Sequence, residues 1–174
     1  SNVLTTPEYY QVLAGSRDVL LVDDDWDFMT ADYGGRFYYA TALNALGYPW
    51  TVWDTTTQST PQAADLAEHG MVVWFTGYDW QTRISPTEEI ELIGYLDGGG
   101  RLLMSSQEQH YAYPDSTLMS GYFGVTNVND DAIKRTVAGS PGDPLFASLG
   151  SYALRRPDDW QVYWPAGGYE GPYN

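Results

Sequence analysis

The chain has 174 residues, contains no cysteine and carries a net charge of −15, with 23 acidic and 8 basic side chains. Its length is that of about one domain. Without cysteine, disulfides, a thiol nucleophile and cysteine-based metal sites are excluded. The negative charge disfavours nucleic acid and anionic membranes as partners. No apolar run approaches the roughly 20 residues of a membrane-spanning helix.

The same composition indicates a setting for the protein. Aromatic side chains are abundant, with 15 Tyr and 7 Trp, and basic residues are few. This balance is typical of exported bacterial proteins, so we expect an extracellular or cell-surface location. An acidic surface suits cations, basic surfaces or neutral sugars. We expect no nucleic acid partner and no membrane insertion.

Apolar runs alternate with helical segments over the first 105 residues. Four short apolar runs predict strands, at residues 19–22, 50–53, 71–75 and 101–104. Three segments with helical spacing or helix-start signals predict helices between them, at residues 36–46, 60–66 and 85–97. The order β-α-β-α-β-α-β with short loops predicts a mainly parallel sheet with helices on both faces. The expected fold class is therefore α/β.

Local signals predict the ends and the buried faces of these helices. Thr60 and Pro61 have the residue types of an N-cap and a first helical position, and Ser85 begins a capping box with Glu88. Gly47 stands where a C′ glycine ends a helix. The residues predicted to face the core are Tyr39, Leu43 and Leu46 in the first helix and Ile90, Ile93 and Leu96 in the third.

The remaining segments have weaker patterns. We expect short helices at residues 7–13 and 117–123 and strands at 125–128 and 133–137. The C-terminal end is rich in Pro, Gly, Trp and Tyr and shows no clear period.

The first strand ends in a run of acids, Asp23-Asp24-Asp25, followed by Asp27. If the strand continues, alternate spacing places Asp23, Asp25 and Asp27 on one side, and three such carboxylates would bind a hard cation such as calcium. The spacing begins like an EF-hand loop, but Phe28 stands at the glycine position, which excludes an EF-hand. The alternative is that the acids cap turns and solvate a loop. Calcium is the one candidate cofactor, and none other is indicated.

The turn after the fourth strand, Ser105-Ser106-Gln107-Glu108, offers candidate catalytic residues. Ser106 becomes a nucleophile if a base activates it, and His110 with Glu108 would supply that base and its acid. The Gly-x-Ser-x-Gly motif of a nucleophile elbow is absent. The alternative is an inert strand-to-helix turn with serine as N-cap. This alternative is favoured, so we expect a non-catalytic protein rather than an enzyme.

Aromatic residues gather in the loops that follow strands one, three and four. In a parallel sheet these loops open at the same edge, where ligands bind. The predicted binding cleft consists of Asp24, Asp25, Trp26, Tyr78, Trp80 and Gln107. Aromatic platforms beside carboxylates bind sugars or peptide side chains. The alternative is that the aromatic rings pack against one another or dock onto a neighbouring domain.

Five segments of the chain together resemble a known kind of domain: VLLVDDD, YYATALNALGYPWTVWD, MVVWFTG, YLDGGGRLLMSSQE and GDPLFASL. They resemble the flavodoxin-like domain of secreted bacterial multidomain proteins, similar to class I glutamine amidotransferases and to the trehalose-utilisation-like group, and often found beside peptidase domains. The resemblance implies a three-layer α/β/α sandwich with a mainly parallel flavodoxin-like sheet. Where the amidotransferases carry their catalytic cysteine, this chain has Ser105 or Ser106, which implies a non-catalytic role.

We therefore expect a single domain over residues 1–174, best supported over residues 18–150. The resemblance implies a final strand for which no candidate precedes Asn174, so the C-terminal end is expected to be truncated. The expected function is that of an accessory or binding domain, with neighbouring domains of the same polypeptide or an extracellular polymer or glycan as partners. The alternatives are a serine hydrolase-like enzyme that uses the turn after strand four and a calcium-stabilised structural domain.

Overall fold

A computed structural model describes residues 18–25, 35–77, 83–106, 109–125, 136–139, 141–142, 147–148 and 150–153. The chain divides into two compact units, Ser1–Thr126 and Asn127–Asn174. The first unit contains a parallel sheet with its helices. The second contributes one short pair of strands.

Four parallel strands form the sheet of the first unit. They are β1 (Val19–Asp23), β2 (Trp50–Asp54), β3 (Met71–Phe75) and β4 (Leu102–Ser105). Their order across the sheet is β2-β1-β3-β4. β1 lies in register with both neighbours, so that Asp23 stands beside Asp54 on one side and Phe75 on the other. The predicted parallel sheet is confirmed. The unbroken apolar run of β1 is typical of a parallel strand, because both faces of such a sheet are covered.

Alternation along the strands divides the core into two clusters, one on each face of the sheet. Leu20 and Val22 pack among residues of the second and third helices, whereas Val19 and Leu21 pack with residues of the first helix. Every residue of β1 is buried. The described part of the first unit is therefore a three-layer α/β/α sandwich with a flavodoxin-like strand order, as predicted.

The first helix, α1 (Gly35–Leu46), connects β1 to β2. Tyr39 and Leu43 pack toward the sheet as predicted. The prediction that Leu46 faces the core is wrong, since this last residue of the helix is 70% exposed. The chain turns away immediately afterwards at Gly47, whose φ of +72° confirms the predicted C′ glycine.

The second helix, α2 (Ala63–Leu66), connects β2 to β3 and is shorter than predicted. The prediction of Thr60 as N-cap and Pro61 as first helical residue is wrong. Gln62 is the N-cap, and its backbone N–H donates to the Asp65 carboxylate at 2.8 Å. This bond starts the helix later, because a carboxylate three residues after the cap satisfies an otherwise unpaired amide.

The third helix, α3 (Pro86–Asp97), connects β3 to β4 and begins with the predicted capping box at Ser85. Its buried residues are Glu88, Leu92 and Tyr95. Ile93 and Leu96 pack against the core as predicted. The prediction that Ile90 faces the core is wrong, since Ile90 is 68% exposed. Glu88, the third residue of the helix and a member of the capping box, lies on the buried face instead.

Two short helical elements follow β4. They are α4 (Gln109–Ala112) and a π-helical turn (Leu118–Tyr122), whose Leu118 joins the core cluster. The helix predicted at 117–123 is therefore confirmed in position, with π-type rather than α-type hydrogen bonding.

The second unit contains β5 (Thr136–Val137), which pairs antiparallel with β6 (Tyr152–Ala153). β5 matches the end of the strand predicted at 133–137. Val125 lies in no strand, and the rest of the strand predicted at 125–128 lies outside the described residues, as does the helix predicted at 7–13. Within the described part of the chain, no helix is long and apolar enough to cross a membrane.

Candidate functional site

The strand order places a topological switch point between β1 and β3. The connection that carries α1 leaves β1 toward β2, while α2 and α3 lie on the other face of the sheet. In open α/β sheets the crevice for ligands lies at this point, outside the carboxyl ends of the strands. The residues at these ends are Asp23 to Asp25 after β1, Thr76 and Gly77 after β3, and Ser106 after β4.

Asp23 forms an ion-pair network with α1. Arg36 donates from Nε to Asp23 at 2.5 Å and from its terminal nitrogen to Asp54 at 2.9 Å. Burial and the neighbouring Asp25 carboxyl raise the pKa of Asp23 to about 7, and Arg36 opposes them without cancelling them. The half-exposed guanidinium of Arg36 thus forms ion pairs with two carboxyl groups on adjacent strands.

Asp24 faces the opposite side of the sheet, as its alternation with Asp23 requires. Its carboxylate accepts hydrogen bonds from Trp74 Nε1 at 3.0 Å and from Thr55 Oγ1 at 2.8 Å. Burial, with a further contribution from the charge of Glu88, raises its pKa to about 7 despite both donors. Asp24 is therefore fixed by hydrogen bonds from Trp74 and Thr55 on the face of the sheet that carries α2 and α3.

Asp25 lies on the same side as Asp23 and closes the start of α1. Its carboxylate accepts the backbone N–H of Gly35 at 3.0 Å, which is an unpaired donor at the helix N-terminus. Gly77 lies directly against it, since a Cβ built on Gly77 would approach Asp25 Cβ to 2.6 Å. A carboxyl group of the chain itself thus occupies the helix N-terminus beside the switch point, where phosphates bind in related topologies.

Ser106 belongs to a chain of polar groups at the end of β4. Its Oγ accepts from Thr76 Oγ1 at 2.9 Å and donates to Gln109 Oε1 at 3.4 Å. The Gln109 amide nitrogen in turn donates to the carbonyl of Ile84 at 3.0 Å. Ser106 is therefore joined to β3 and α4 by hydrogen bonds that position the turn.

The structure brings Asp23, Asp24 and Asp25 together at the carboxyl end of β1. The predicted site residues outside the described part of the chain are Trp26, Asp27, Tyr78, Trp80, Gln107 and Glu108. His110 lies in α4, but its side chain is outside the described part. The catalytic set of Ser106, Glu108 and His110 and the aromatic cleft therefore stay predictions.

The calcium site built on Asp23, Asp25 and Asp27 also stays a prediction. Among the residues that the structure describes, no three His, Asp or Glu side chains converge in a way that would hold a metal ion. The two described members of the set, Asp23 and Asp25, bond instead to Arg36 and to the amide of Gly35.

Sequence reasoning did not find the partners of these carboxylates. Arg36 is the only Arg or Lys between residues 18 and 82. A single basic residue so close to an acidic run could have predicted an ion pair between them. Trp74 and Thr55 gave no such signal. A tryptophan within an apolar strand predicts only a core residue. The sequence pattern does not indicate that its indole N–H bonds to a carboxyl group.

Comparisons of the chain with protein-family models, with curated proteins and with solved structures gave no significant match.

Proposed function

We propose that this chain is a non-catalytic accessory domain of an exported bacterial protein and that it binds a neutral extracellular polymer at the carboxyl edge of its sheet. The observation that supports this most directly is that all three carboxylates after β1 accept hydrogen bonds from the chain itself. Asp23 is bonded to Arg36, Asp24 to Trp74, and Asp25 to the start of α1.

A catalytic carboxylate must direct an oxygen at the proton that it transfers. Here the acids instead join β1 to β2, to β3 and to α1. Their raised pKa values do not by themselves favour catalysis, because structural networks of buried groups perturb pKa values as well. The bonding pattern favours a scaffold over a reaction centre.

Ser106 is the residue on which the hydrolase alternative depends. An activated serine needs a general base that takes its proton. Among its described contacts, the Ser106 hydroxyl donates to the amide oxygen of Gln109 and accepts from Thr76. These two bonds position the turn after β4, and a labelling assay decides between the two alternatives.

The choice of partner follows from charge and composition. At a net charge of −15 the chain repels anionic polymers, whereas a neutral glycan meets no such barrier. Trp26, Tyr78 and Trp80 follow the strands whose ends form the switch point, and aromatic rings are the side chains on which sugars stack. The resemblance to accessory domains of secreted proteins supports the same proposal.

A binding assay tests the proposal. We expect the full chain to bind at least one neutral polysaccharide on a glycan array, and Trp80→Ala to weaken that binding by about tenfold, which corresponds to a loss of about 1.4 kcal/mol. Tyr152→Ala, which removes an exposed aromatic from the second unit, is the control and should bind normally. Equal binding by both variants, or no binding to any neutral glycan, contradicts the proposal.

A labelling assay tests the hydrolase alternative. A fluorophosphonate probe should leave Ser106 unmodified, as judged by mass spectrometry of the peptide that contains it. An adduct that forms on the chain and disappears in Ser106→Ala would establish an activated serine and overturn the non-catalytic assignment.

The calcium-stabilised alternative has its own measurement. Thermal unfolding in millimolar calcium and in chelator should give the same midpoint, because the Asp23 carboxyl already bonds to Arg36. A midpoint that rises with calcium and returns with chelator would establish a structural metal.

A further inference from the structure

We propose that the exposed edge of β2, together with the neighbouring side of α1, is a self-association surface through which two copies of this chain pair β2 against β2 in antiparallel orientation. Within the described residues β2 pairs with β1 alone, and it ends the sheet on that side. An edge strand with unpaired backbone groups is a template for another strand.

The backbone of β2 fixes which groups face outward. The carbonyl of Pro49 accepts from Val19 N, and Thr55 N donates to the carbonyl of Asp23. Because residues of a strand in a parallel ladder alternate in the direction of their amides, Thr51 and Trp53 also bond toward β1. The N–H and C=O groups of Trp50, Val52 and Asp54 consequently face away from the sheet.

The outward groups of Asp54 are satisfied locally. Its N–H donates to Gln58 Oε1 at 3.0 Å, and its carbonyl accepts from Gln58 N at 2.8 Å and Thr57 N at 3.2 Å. The turn after β2 therefore closes the edge at this end. Trp50 and Val52 remain as the two residues that offer a donor and an acceptor each.

These two residues are self-complementary. If two copies of β2 lie antiparallel about a two-fold axis through Thr51, Trp50 of each copy stands opposite Val52 of the other. Both members of each pair then face outward, which is the requirement for a hydrogen-bonded antiparallel pair. The arrangement satisfies every remaining outward group of the strand and leaves Thr51 opposite Thr51 of the second copy. A two-fold interface of this kind uses the same surface on both copies, so the assembly stops at a dimer.

The charge distribution favours a second copy as the occupant. Residues 37–53 include no charged side chain, in a chain of net charge −15. The two charges that bound this stretch, Arg36 and Asp54, pair with each other at 2.9 Å. Two such acidic molecules repel each other least where the contacting surfaces carry no charged side chain, and residues 37–53 provide such a stretch.

Side chains of α1 extend the surface beside β2. Asn44 Oδ1 accepts from Trp50 Nε1 at 2.9 Å, so the side of α1 that carries Asn44 lies next to β2. Helical spacing places Phe37 and Thr41 on that same side. Phe37 is 62% exposed, and Tyr48, just after the helix, is 50% exposed. In the paired arrangement both α1 helices lie on one face of a continuous sheet, so these aromatic rings meet across the axis.

Cysteine cross-linking tests the register. Residues opposite each other in a non-hydrogen-bonded antiparallel pair have Cα atoms about 4.5 Å apart, within the range of a disulfide. Thr51→Cys, as the only cysteine of the chain, should form a covalent dimer under mild oxidation. Thr87→Cys, at an exposed position of α3, is the matched control and should stay monomeric. Cross-linking of Thr51→Cys no faster than Thr87→Cys overturns the proposed pairing.

Sedimentation tests the association itself. The full chain should sediment as a dimer, with a dissociation constant that falls as salt screens the charge of the two copies. Phe37→Glu should raise that constant by about tenfold or more, and Ile90→Glu, which changes an equally exposed residue of α3, should leave it unchanged. Circular dichroism of both variants checks that they fold. A monomer at about 1 mM protein, or equal effects of the two variants, overturns the proposal.

Discussion

The indole of Trp74 in β3 donates a hydrogen bond from Nε1 to Oδ2 of Asp24 at 3.0 Å, and both residues are buried. The bond joins positions fifty residues apart in the chain. It places a charge-bearing group beside the apolar cluster between the sheet and α3. A carboxyl in such a place resists ionisation, and the raised pKa of Asp24 reflects this.

Trp74→Phe should destabilise the protein more at pH 8 than at pH 5. The variant keeps most of the ring but removes the donor, and loss of a buried hydrogen bond to a charged group costs about 1–3 kcal/mol. The pKa of Asp24 is about 7, so the carboxyl is mostly ionised at pH 8 and mostly protonated at pH 5. Urea unfolding at the two pH values measures the difference.

Trp53→Phe is the control for that experiment, because the Trp53 indole donates to an uncharged group, the backbone carbonyl of Ser59. Its effect on the free energy of unfolding should be the same at both pH values. If Trp74→Phe lowers the free energy of unfolding equally at both pH values, the indole N–H of Trp74 does not stabilise the ionised form of Asp24.

The free energy of unfolding should fall as pH rises from about 4 to about 7. Asp23 and Asp24 titrate near 7 in the folded state, whereas an unfolded carboxyl titrates near 3.8. The native state therefore binds more protons than the unfolded state between these values, and stability falls with pH there. Below about pH 4 the opposite applies to Asp54, whose lowered pKa makes its contribution vanish in acid. The maximum should lie near pH 4.

Asp23→Asn and Asp24→Asn separate these two groups from the general effect of net charge. Each variant should flatten the decline in stability between pH 5 and pH 8. Asp97→Asn, at an exposed position at the end of α3, removes the same charge and should leave the slope almost unchanged. If all three variants change the slope equally, the decline comes from overall repulsion and not from the buried pair.

Arg36→Gln should lower the free energy of unfolding by about 1–2 kcal/mol at pH 8, a value reduced from that of a fully buried pair because Arg36 is 41% exposed. The loss should be smaller at pH 5, where Asp23 is protonated. A double variant with Asp23→Asn should recover part of the loss, since no buried carboxylate then lacks its cation. A double-mutant cycle without coupling would contradict the ion-pair network.

Gly77→Ala should cost more than Gly47→Ala, by roughly 1 kcal/mol or more beyond the backbone penalty that both share. Both glycines have positive φ, at +60° and +72°. A Cβ at Gly77 meets Asp25 at 2.6 Å, whereas nothing lies within 4 Å of a Cβ at Gly47. Urea unfolding of the two variants compares the costs, and equal costs would mean that Asp25 moves aside freely.

Most of the architecture could be predicted because its signals are local. The unbroken apolar run of β1, the capping box at Ser85 and the C′ glycine at Gly47 each depend on neighbours within a few residues. The buried faces of the helices were harder to predict. Leu46 and Ile90 fit the helical period, yet the end of α1 and the burial of Glu88 left both exposed. Periodicity predicts that a helix has a buried face, but packing selects which one.

Chain order and hydrophobic period suffice to predict that a buried parallel strand ends in acids at the carboxyl edge of an α/β sheet. The hydrogen-bond partners of those acids became known from the folded structure alone. Asp23 and Asp25 bond to Arg36 and Gly35 of α1, and Asp24 bonds to Trp74 of β3. Hydrogen bonds between distant segments depend on distances that no local pattern encodes. Asp23, Asp24 and Asp25 therefore form part of the framework of the fold, and the calcium site that the acidic run indicates stays a prediction.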